Sequence, residues 1–156
     1  MSKAQSKNIL NTNRKAHHRY HILETVEAGI VLTGSEVKSA KTGGLNLSDS
    51  YAVLKNGEAW LLNCHIAPYA YDALGMRQAE PTRSRKLLLK KQEIAKMMSK
   101  AQAKGWTVIP VEVYVNEKGL VKVLLGLAQG KSGPDRRDDI KRKDLERELG
   151  RKYKLH

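Results

Sequence analysis

Apolar residues along the chain come in short runs broken by glycine, proline and amide pairs, the pattern of a chain built mainly of strands. Tyr51 to Lys55 and Glu58 to Asn63 flank Asn56-Gly57. An Asn-Gly pair favours the positive φ values of a type I′ turn, so the two runs are predicted to pair as a tight antiparallel hairpin. Upstream, Tyr20, Ile22 and Val26 are candidate inward positions of a first strand that runs on through Ile30 to Leu32. Near the other end, Trp106 to Asn116 and Leu120 to Leu127 are rich in valine and leucine and are joined by Asn116-Glu117-Lys118-Gly119, which predicts the last two strands. Two segments carry the helical period instead. Gly34 to Lys41 is a short helix with Ser35 as N-cap, Val37 and Ala40 inward, and Gly43-Gly44 as its end. Ile94, Met97, Met98 and Ala101 fall at i, i+3, i+4, i+7 ahead of Gly105, which stands where a C-terminal cap belongs. Ala67 to Thr82, with Pro68, Gly75 and Pro81, reads as an irregular connection.

The resulting fold class is mainly β: a small closed six-stranded barrel of the oligonucleotide-binding (OB-like) type with two or three short helices, closure being the simplest way to hide the sheet edges. Three segments follow. Residues 1–12 are polar and basic and form a mobile N-terminal segment. Residues 13–130 are the barrel domain. Residues 131–156 are a basic tail behind the hinge Gly130-Lys131-Ser132-Gly133-Pro134. The tail's few apolar residues do not form one stripe, so alone it is disordered. Its helix signals are nonetheless good, because Asp138 with Arg142 and Asp139 with Lys143 are i, i+4 pairs in the favourable order. At about 100° per residue, Arg136, Lys143, Arg147, Arg151 and Lys154 share one acid-free stripe suited to a line of phosphates. A solvated charged tail with a chance pattern is the competing reading.

Composition narrows the class further. With 156 residues, 40% of them apolar, the chain supports one core, filled by aliphatic side chains because aromatics are 5% and Phe is absent. No apolar run approaches the roughly 20 residues of a bilayer helix, and the N-terminus lacks a signal-peptide apolar region. The single Cys64 allows no internal disulfide and no CxxC zinc pair, which fits a reducing cytoplasm. Lys plus Arg number 29 against 16 acids, a net charge of +13, and such an excess favours a polyanionic partner. The excess is clustered. Lys3, Lys7, Arg14, Lys15 and Arg19 stand before His21 with no acid between them, Glu93 is the only acid from Arg83 to Lys104, and the tail holds the third basic cluster. Nucleic acid is therefore favoured over a bland basic surface.

Catalytic chemistry has little support. His17 and His21 are spaced i, i+4, but the sequence around them favours extended structure, and no HExxH pattern accompanies them. Asp49 and Ser50 read as turn and capping residues, with no GxSxG elbow to make a nucleophile. A hydrolase acting on RNA through His17, His18 or His65 would need paired carboxylates or a nucleophile frame that the sequence lacks. No catalytic residue, metal ligand or cofactor site is assigned.

Specific motifs add to this. NRKAHH from Asn13, EAGI from Glu27, GSEVKS from Gly34, NLSDSY from Asn46, RSRKLLL from Arg83 followed by Glu93-Ile94, and a Gly130-Lys131 plus Asp135-Arg136-Arg137 junction together resemble the small protein B family, over nearly all of Asn13 to Lys143. The resemblance implies a barrel that binds the tRNA-like domain of transfer-messenger RNA and enters a stalled ribosome with it for trans-translation. It implies an RNA-binding surface including Asn13, Glu27 and Leu88, with His18 near the decoding centre. The basic residues Arg14, Lys15, Lys38, Arg83, Arg85 and Lys86 are expected to complete that surface. The tail residues Lys131, Asp135, Arg136, Arg137, Lys143, Arg147, Arg151 and Lys154 are expected to contact the ribosome as a helix in the empty mRNA channel. Other readings stay open from the residues alone: Glu27 as a solvent-facing strand residue, Leu88 as core, Asn13 as a turn cap. Two departures from the family pattern stand out. Ala79-Glu80-Pro81 replaces a usual HEP, and Pro134 replaces a ring that could stack on a base. The implied partners are transfer-messenger RNA, the small-subunit decoding centre and mRNA channel, and elongation factor Tu indirectly through the charged RNA, with the chain a monomer that binds no membrane. A general structured-RNA chaperone or ribosome-associated protein is the alternative.

Overall fold

The strand β2 (Tyr20–Ile30) is the axis of the sheet in the computed structural model, which describes residues 8–69 and 80–131. It pairs antiparallel with β9 (Val121–Gly130) over most of its length and, at its last two residues, with β7 (Arg85–Leu88). Beyond β9 lie β8 (Thr107–Val115) and β1 (Asn8–Thr12); beyond β7 lie β5 (Glu58–Leu62) and β4 (Tyr51–Lys55). The seven-stranded order is β1-β8-β9-β2-β7-β5-β4, and β3 (Leu45–Asn46) pairs separately with β6 (His65–Ile66). Three helices complete the described residues: α1 (Arg14–Arg19), α2 (Gly34–Lys41) and α3 (Lys91–Lys104). None of them is long and apolar enough to cross a membrane.

The local signals act as expected at several points. The hairpin β4–β5 turns at Asn56 (φ 54°) and Gly57 (φ 72°), both left-handed as its turn requires. The α3 stripe turns Ile94 and Met97 into the core, with Met98 and Ala101 packed at its margin, and Gly105 ends the helix at φ 67°. The core is aliphatic, with Leu47, Leu61, Leu87, Leu125, Val113 and Val123 fully buried.

Other expectations are corrected. The chain is mainly β, but the ladder has two ends, β1 and β4, and among the described residues no hydrogen-bonded pair joins them into a closed six-stranded barrel. The reason lies along the outer edge of β8. Its second half, from Glu112 to Val115, is taken by β1. Next to that, Asn13 donates from its backbone to the Val111 carbonyl (2.8 Å) and from Nδ2 to the Pro110 carbonyl (2.9 Å). Strand β4 therefore faces the first half of β8 across a cleft. The last five residues of the expected mobile segment, Asn8–Thr12, form β1, an edge strand too short and polar to show alternation. Residues 14–19, which include His17 where extended structure was expected, form α1 because Asn13 caps it. Thr33, not Ser35, caps α2: its hydroxyl accepts from the Glu36 N–H (3.2 Å), and the Glu36 carboxylate accepts from the Thr33 N–H (2.9 Å). Part of the Ala67–Thr82 connection and the helix expected beyond Lys131 lie outside the described residues.

Glu36 does more than cap. Arg85 is 0% exposed, and its guanidinium donates through all five N–H groups: to Glu36 Oε2 from Nε (2.8 Å) and Nη2 (2.6 Å), to the Cys64 and Arg83 carbonyls from Nη1 (2.6 and 3.2 Å), and to the Pro81 carbonyl from Nη2 (3.0 Å). Arg83 grips the same carboxylate from Nε and Nη2 (3.1 and 2.6 Å). Burial pushes the Glu36 carboxyl up, but the hydrogen bonds from Arg83, the Thr33 N–H and Arg85, with the nearby Arg85 charge, outweigh it and hold the group below its ordinary value of 4.5.

Because the folded carboxyl releases its proton more readily than the unfolded one, its stabilisation is complete above about pH 4.5 and is lost as pH falls through the lower folded value. Glu36→Gln, which leaves Arg85 buried beside a neutral amide, is expected to cost about 3–5 kcal/mol at pH 7. Urea unfolding at pH 7, 5 and 3 checks both points, and the variant should lose less stability than the native chain between pH 5 and 3.

Candidate nucleic-acid interface

The sheet register decides which side chains share the outer face. In an antiparallel ladder, residues opposite one another point the same way. Thr12, Glu112, Leu124 and Glu27 form one such row across β1, β8, β9 and β2. The next row is Ile9, Tyr114, Lys122, Gly29 and Leu88. Glu27 and Leu88, far apart in sequence, thus stand in neighbouring rows of one face. Leu88 is 53% exposed and is not core. It lies against Gly29, where a Cβ would stand 3.2 Å from Leu88 Cβ, so glycine lets the leucine rest close to the backbone of β2. Glu27 is exposed, and its carboxylate accepts from the Tyr114 hydroxyl. Burial, then this hydrogen bond and the charges of Glu27 and Glu112, raise the Tyr114 pKa, so the phenol stays a donor that fixes the carboxylate's orientation.

Asn13 has a different place. It is 6% exposed: Oδ1 accepts from the Ala16 N–H (3.3 Å) and Nδ2 is spent on Pro110. Its cap sets α1 on the surface with Ala16 buried and Arg14, Lys15, His17, His18 and Arg19 exposed. Lys15 meets Asp49 at 3.2 Å, a largely exposed pair worth little in water. The Lys131 N–H donates to the Arg19 carbonyl (2.9 Å), which roots the tail beside the last turn of α1.

The remaining candidates divide in the same way. Lys86 is exposed and pairs with Glu58 (2.9 Å); Lys38 is exposed with its ammonium 5.8 Å from the Tyr69 ring centre. Arg83 is half-buried on Glu36, and Arg85 is wholly enclosed, so the expectation that Arg85 contacts RNA is corrected: its charge is consumed by internal acceptors. Lys131 is exposed, while Asp135, Arg136, Arg137, Lys143, Arg147, Arg151 and Lys154 lie outside the described residues. Two structural residues went unpredicted, Glu36 and Tyr114. The Thr33-x-x-Glu36 capping-box spacing was a signal for the first; nothing in the sequence pointed to the second. For nucleophilic chemistry, burial pushes the Cys64 thiol up to about 11, so it stays protonated at neutral pH. His17 and His18 lie on α1, His21 on β2 and His65 on β6, and among the described residues no group of three His, Cys, Asp or Glu is placed to hold a metal ion.

Comparison with known proteins agrees over most of the chain. Residues 10–155 match the family model described as SmpB protein. An SsrA-binding protein of Streptococcus agalactiae serotype III (strain NEM316) is 50% identical over 147 residues, covering 94% of this chain and 93% of the relative. One of Streptococcus pyogenes serotype M49 (strain NZ131) is 50% identical over 146 residues, covering 94% and 92%. A chain of a solved structure described as "tmRNA-SmpB: a journey to the center of the bacterial ribosome" superposes with a TM-score of 0.64 at 47% identity, over 78% of this chain and 84% of that one.

Asn13→Ala removes a cap and leaves a buried carbonyl of β8 without its donor, and is expected to cost about 1–3 kcal/mol of stability. Leu88→Ala, at an exposed position, should change stability by no more than about 0.5 kcal/mol. Chemical denaturation of the two variants side by side checks the contrast.

Proposed function

The chain belongs to the SmpB family, and from that membership we propose that it binds the tRNA-like domain of transfer-messenger RNA and delivers it to stalled ribosomes in trans-translation. Half-identity with SsrA-binding proteins over 94% of the chain carries this reading. The shared outer face of Glu27 and Leu88 supports it, because a folded RNA is recognised by shape, by 2′-hydroxyl and phosphate contacts, and by splayed bases. Glu27 can accept from a base amino group or a ribose hydroxyl, and Leu88 offers an apolar surface to a base. Arg14, Lys15 and His18 on α1, with Lys38 and Lys86, are exposed cations or donors available to RNA, whereas Asn13, Arg83 and Arg85 hold the elements in place. The curl of the sheet is that of a barrel left open between β4 and β8.

The chain is an RNA-binding factor, not an enzyme, and peptide-bond chemistry stays with the ribosome. The tail, rooted at Lys131 beside α1, occupies the vacant mRNA channel as a helix, with Arg136, Lys143, Arg147, Arg151 and Lys154 along phosphates and Asp135 and Arg137 at its junction. His18 stands near the decoding centre. The protein acts as a cytoplasmic monomer, and elongation factor Tu meets it only through the charged RNA.

Truncation after Gly130 should leave affinity for transfer-messenger RNA within a few-fold of the full chain while abolishing tagging in a reconstituted stalled-translation assay; loss of both together would sink the division of roles. Leu88→Ala should weaken that RNA about tenfold, equal to about 1.4 kcal/mol. In gel-shift titrations the affinity should also fall steeply between 50 and 200 mM salt as phosphate counterions are released. Equal affinity for an unrelated hairpin RNA would point to a general RNA chaperone instead.

A further inference from the structure

Tyr114 stands on the outer face yet is closed to a ligand: it is 2% exposed, whereas Glu27, which accepts from its hydroxyl, is exposed. The two are not nearest neighbours. Glu27 of β2 stands opposite Leu124 of β9, Leu124 stands opposite Glu112 of β8, and Tyr114 is one row further along β8. At about 4.8 Å between adjacent strands the β8 and β2 backbones are roughly 10 Å apart, so a hydroxyl from β8 reaches a glutamate of β2 only on a long side chain that crosses β9. Gly29, the β2 member of the Tyr114 row, adds no side chain to that crossing. Burial and the carboxylate beside it keep the phenol protonated at neutral pH, so it remains a donor.

An exposed glutamate turns about three side-chain bonds, and fixing it against a partner costs rotamer freedom. A buried phenol that already bonds Oε2 removes part of that cost before any ligand arrives. It also narrows the chemistry. An ionised carboxylate only accepts hydrogen bonds, so it turns phosphate away and takes N–H or O–H donors. With Oε2 held by Tyr114, Oε1 is the acceptor left to a ligand, which suits one donor rather than the paired donors of a guanine edge. We propose that Tyr114 is a positioning residue for RNA binding: without touching RNA, its phenol aims the Glu27 carboxylate at a single donor, a ribose 2′-hydroxyl or a base amino group. This rests on the proposed function for the identity of the RNA.

Filter-binding titrations of the full chain with transfer-messenger RNA test it, with urea unfolding of each variant as the check on the fold. Tyr114→Phe keeps the ring and removes the hydroxyl. It should weaken the RNA about fivefold in the native background and less than 1.5-fold beside Glu27→Ala, where no carboxylate remains to be aimed. Loosened packing around the ring would weaken both backgrounds alike; that equal loss, or no loss from Tyr114→Phe alone, would overturn the positioning role. Glu27→Gln tests the aim without altering Tyr114. The phenol should hold the amide oxygen and leave the NH2 group to the ligand, so this variant should bind as weakly as Glu27→Ala within twofold, and adding Tyr114→Phe should free the amide to flip and restore affinity at least twofold. A Glu27→Gln chain that keeps more than half the native affinity would sink the idea. Single 2′-deoxy substitutions and base substitutions that delete one amino group separate the two donor classes: one such change in the tRNA-like domain should cost the native chain at least threefold and the Glu27→Ala chain nothing, and two or more would contradict a single donor. If the native chain does not bind transfer-messenger RNA, the proposed function falls and this inference with it; if it binds and the variants depart from this pattern, this inference alone falls.

Discussion

One carboxylate, that of Glu36, organises a large part of the molecule. It belongs to α2, yet it binds two arginines about 50 residues later in the chain, and through Arg85 it reaches the carbonyls of Cys64, Arg83 and Pro81. A fully buried arginine is costly to desolvate, and the cost is met only where every donor finds an acceptor, as here. The return is positional. Arg83 also donates to the Val31 carbonyl (3.2 Å) just past β2, so the entry of β7, the end of β2 and the first turn of α2 are fixed against one another. That geometry sets the register in which Leu87 turns into the core and Leu88 out over Gly29.

The chain's positive charge is unevenly available for the same reason. Arg83 and Arg85 are turned inward, Lys100 holds both oxygens of Glu24 (2.6 and 2.9 Å) and ties α3 to β2, and Lys86 and Lys15 have acidic neighbours. On α1, by contrast, Ala16 anchors the helix and every other side chain, Arg14 and Arg19 among them, faces solvent. A basic segment in sequence is therefore not a basic surface until its acceptors are known.

That difference explains what the sequence allowed to be read. The β4–β5 hairpin and α3 were legible because each rests on local chemistry: Asn-Gly demands left-handed backbone, and an i, i+3, i+4, i+7 stripe followed by glycine specifies a helix face and its end. The last two strands were legible from their valines. Helix α1 was not, since its only strong signal is one asparagine whose side chain works partly through a contact 97 residues away. Strand β1 was hidden because an edge strand needs only backbone pairing with β8. Arg85 read as surface because nothing local announces that Glu36 and three carbonyls converge on it. The motifs that carry the family resemblance located Glu27 and Leu88 individually, but only the register put them on one face.

The same ladder links that face to the tail. Leu124 stands opposite Glu27, and β9 runs six residues further to Gly130, which pairs with Tyr20 before Lys131 closes onto Arg19. At about 3.3 Å per residue the tail root lies roughly 20 Å from the Glu27 row along one hydrogen-bonded strand pair. A bulge in β2 between Ile22 and Glu24 adds twist on the way, which turns the tail root and α1 relative to the outer face. A paired ribbon of this kind resists bending and slippage, because a one-residue slip would invert every side chain between core and surface. The outer face and the start of the tail at Lys131 are therefore held at a set separation, by strand length and twist.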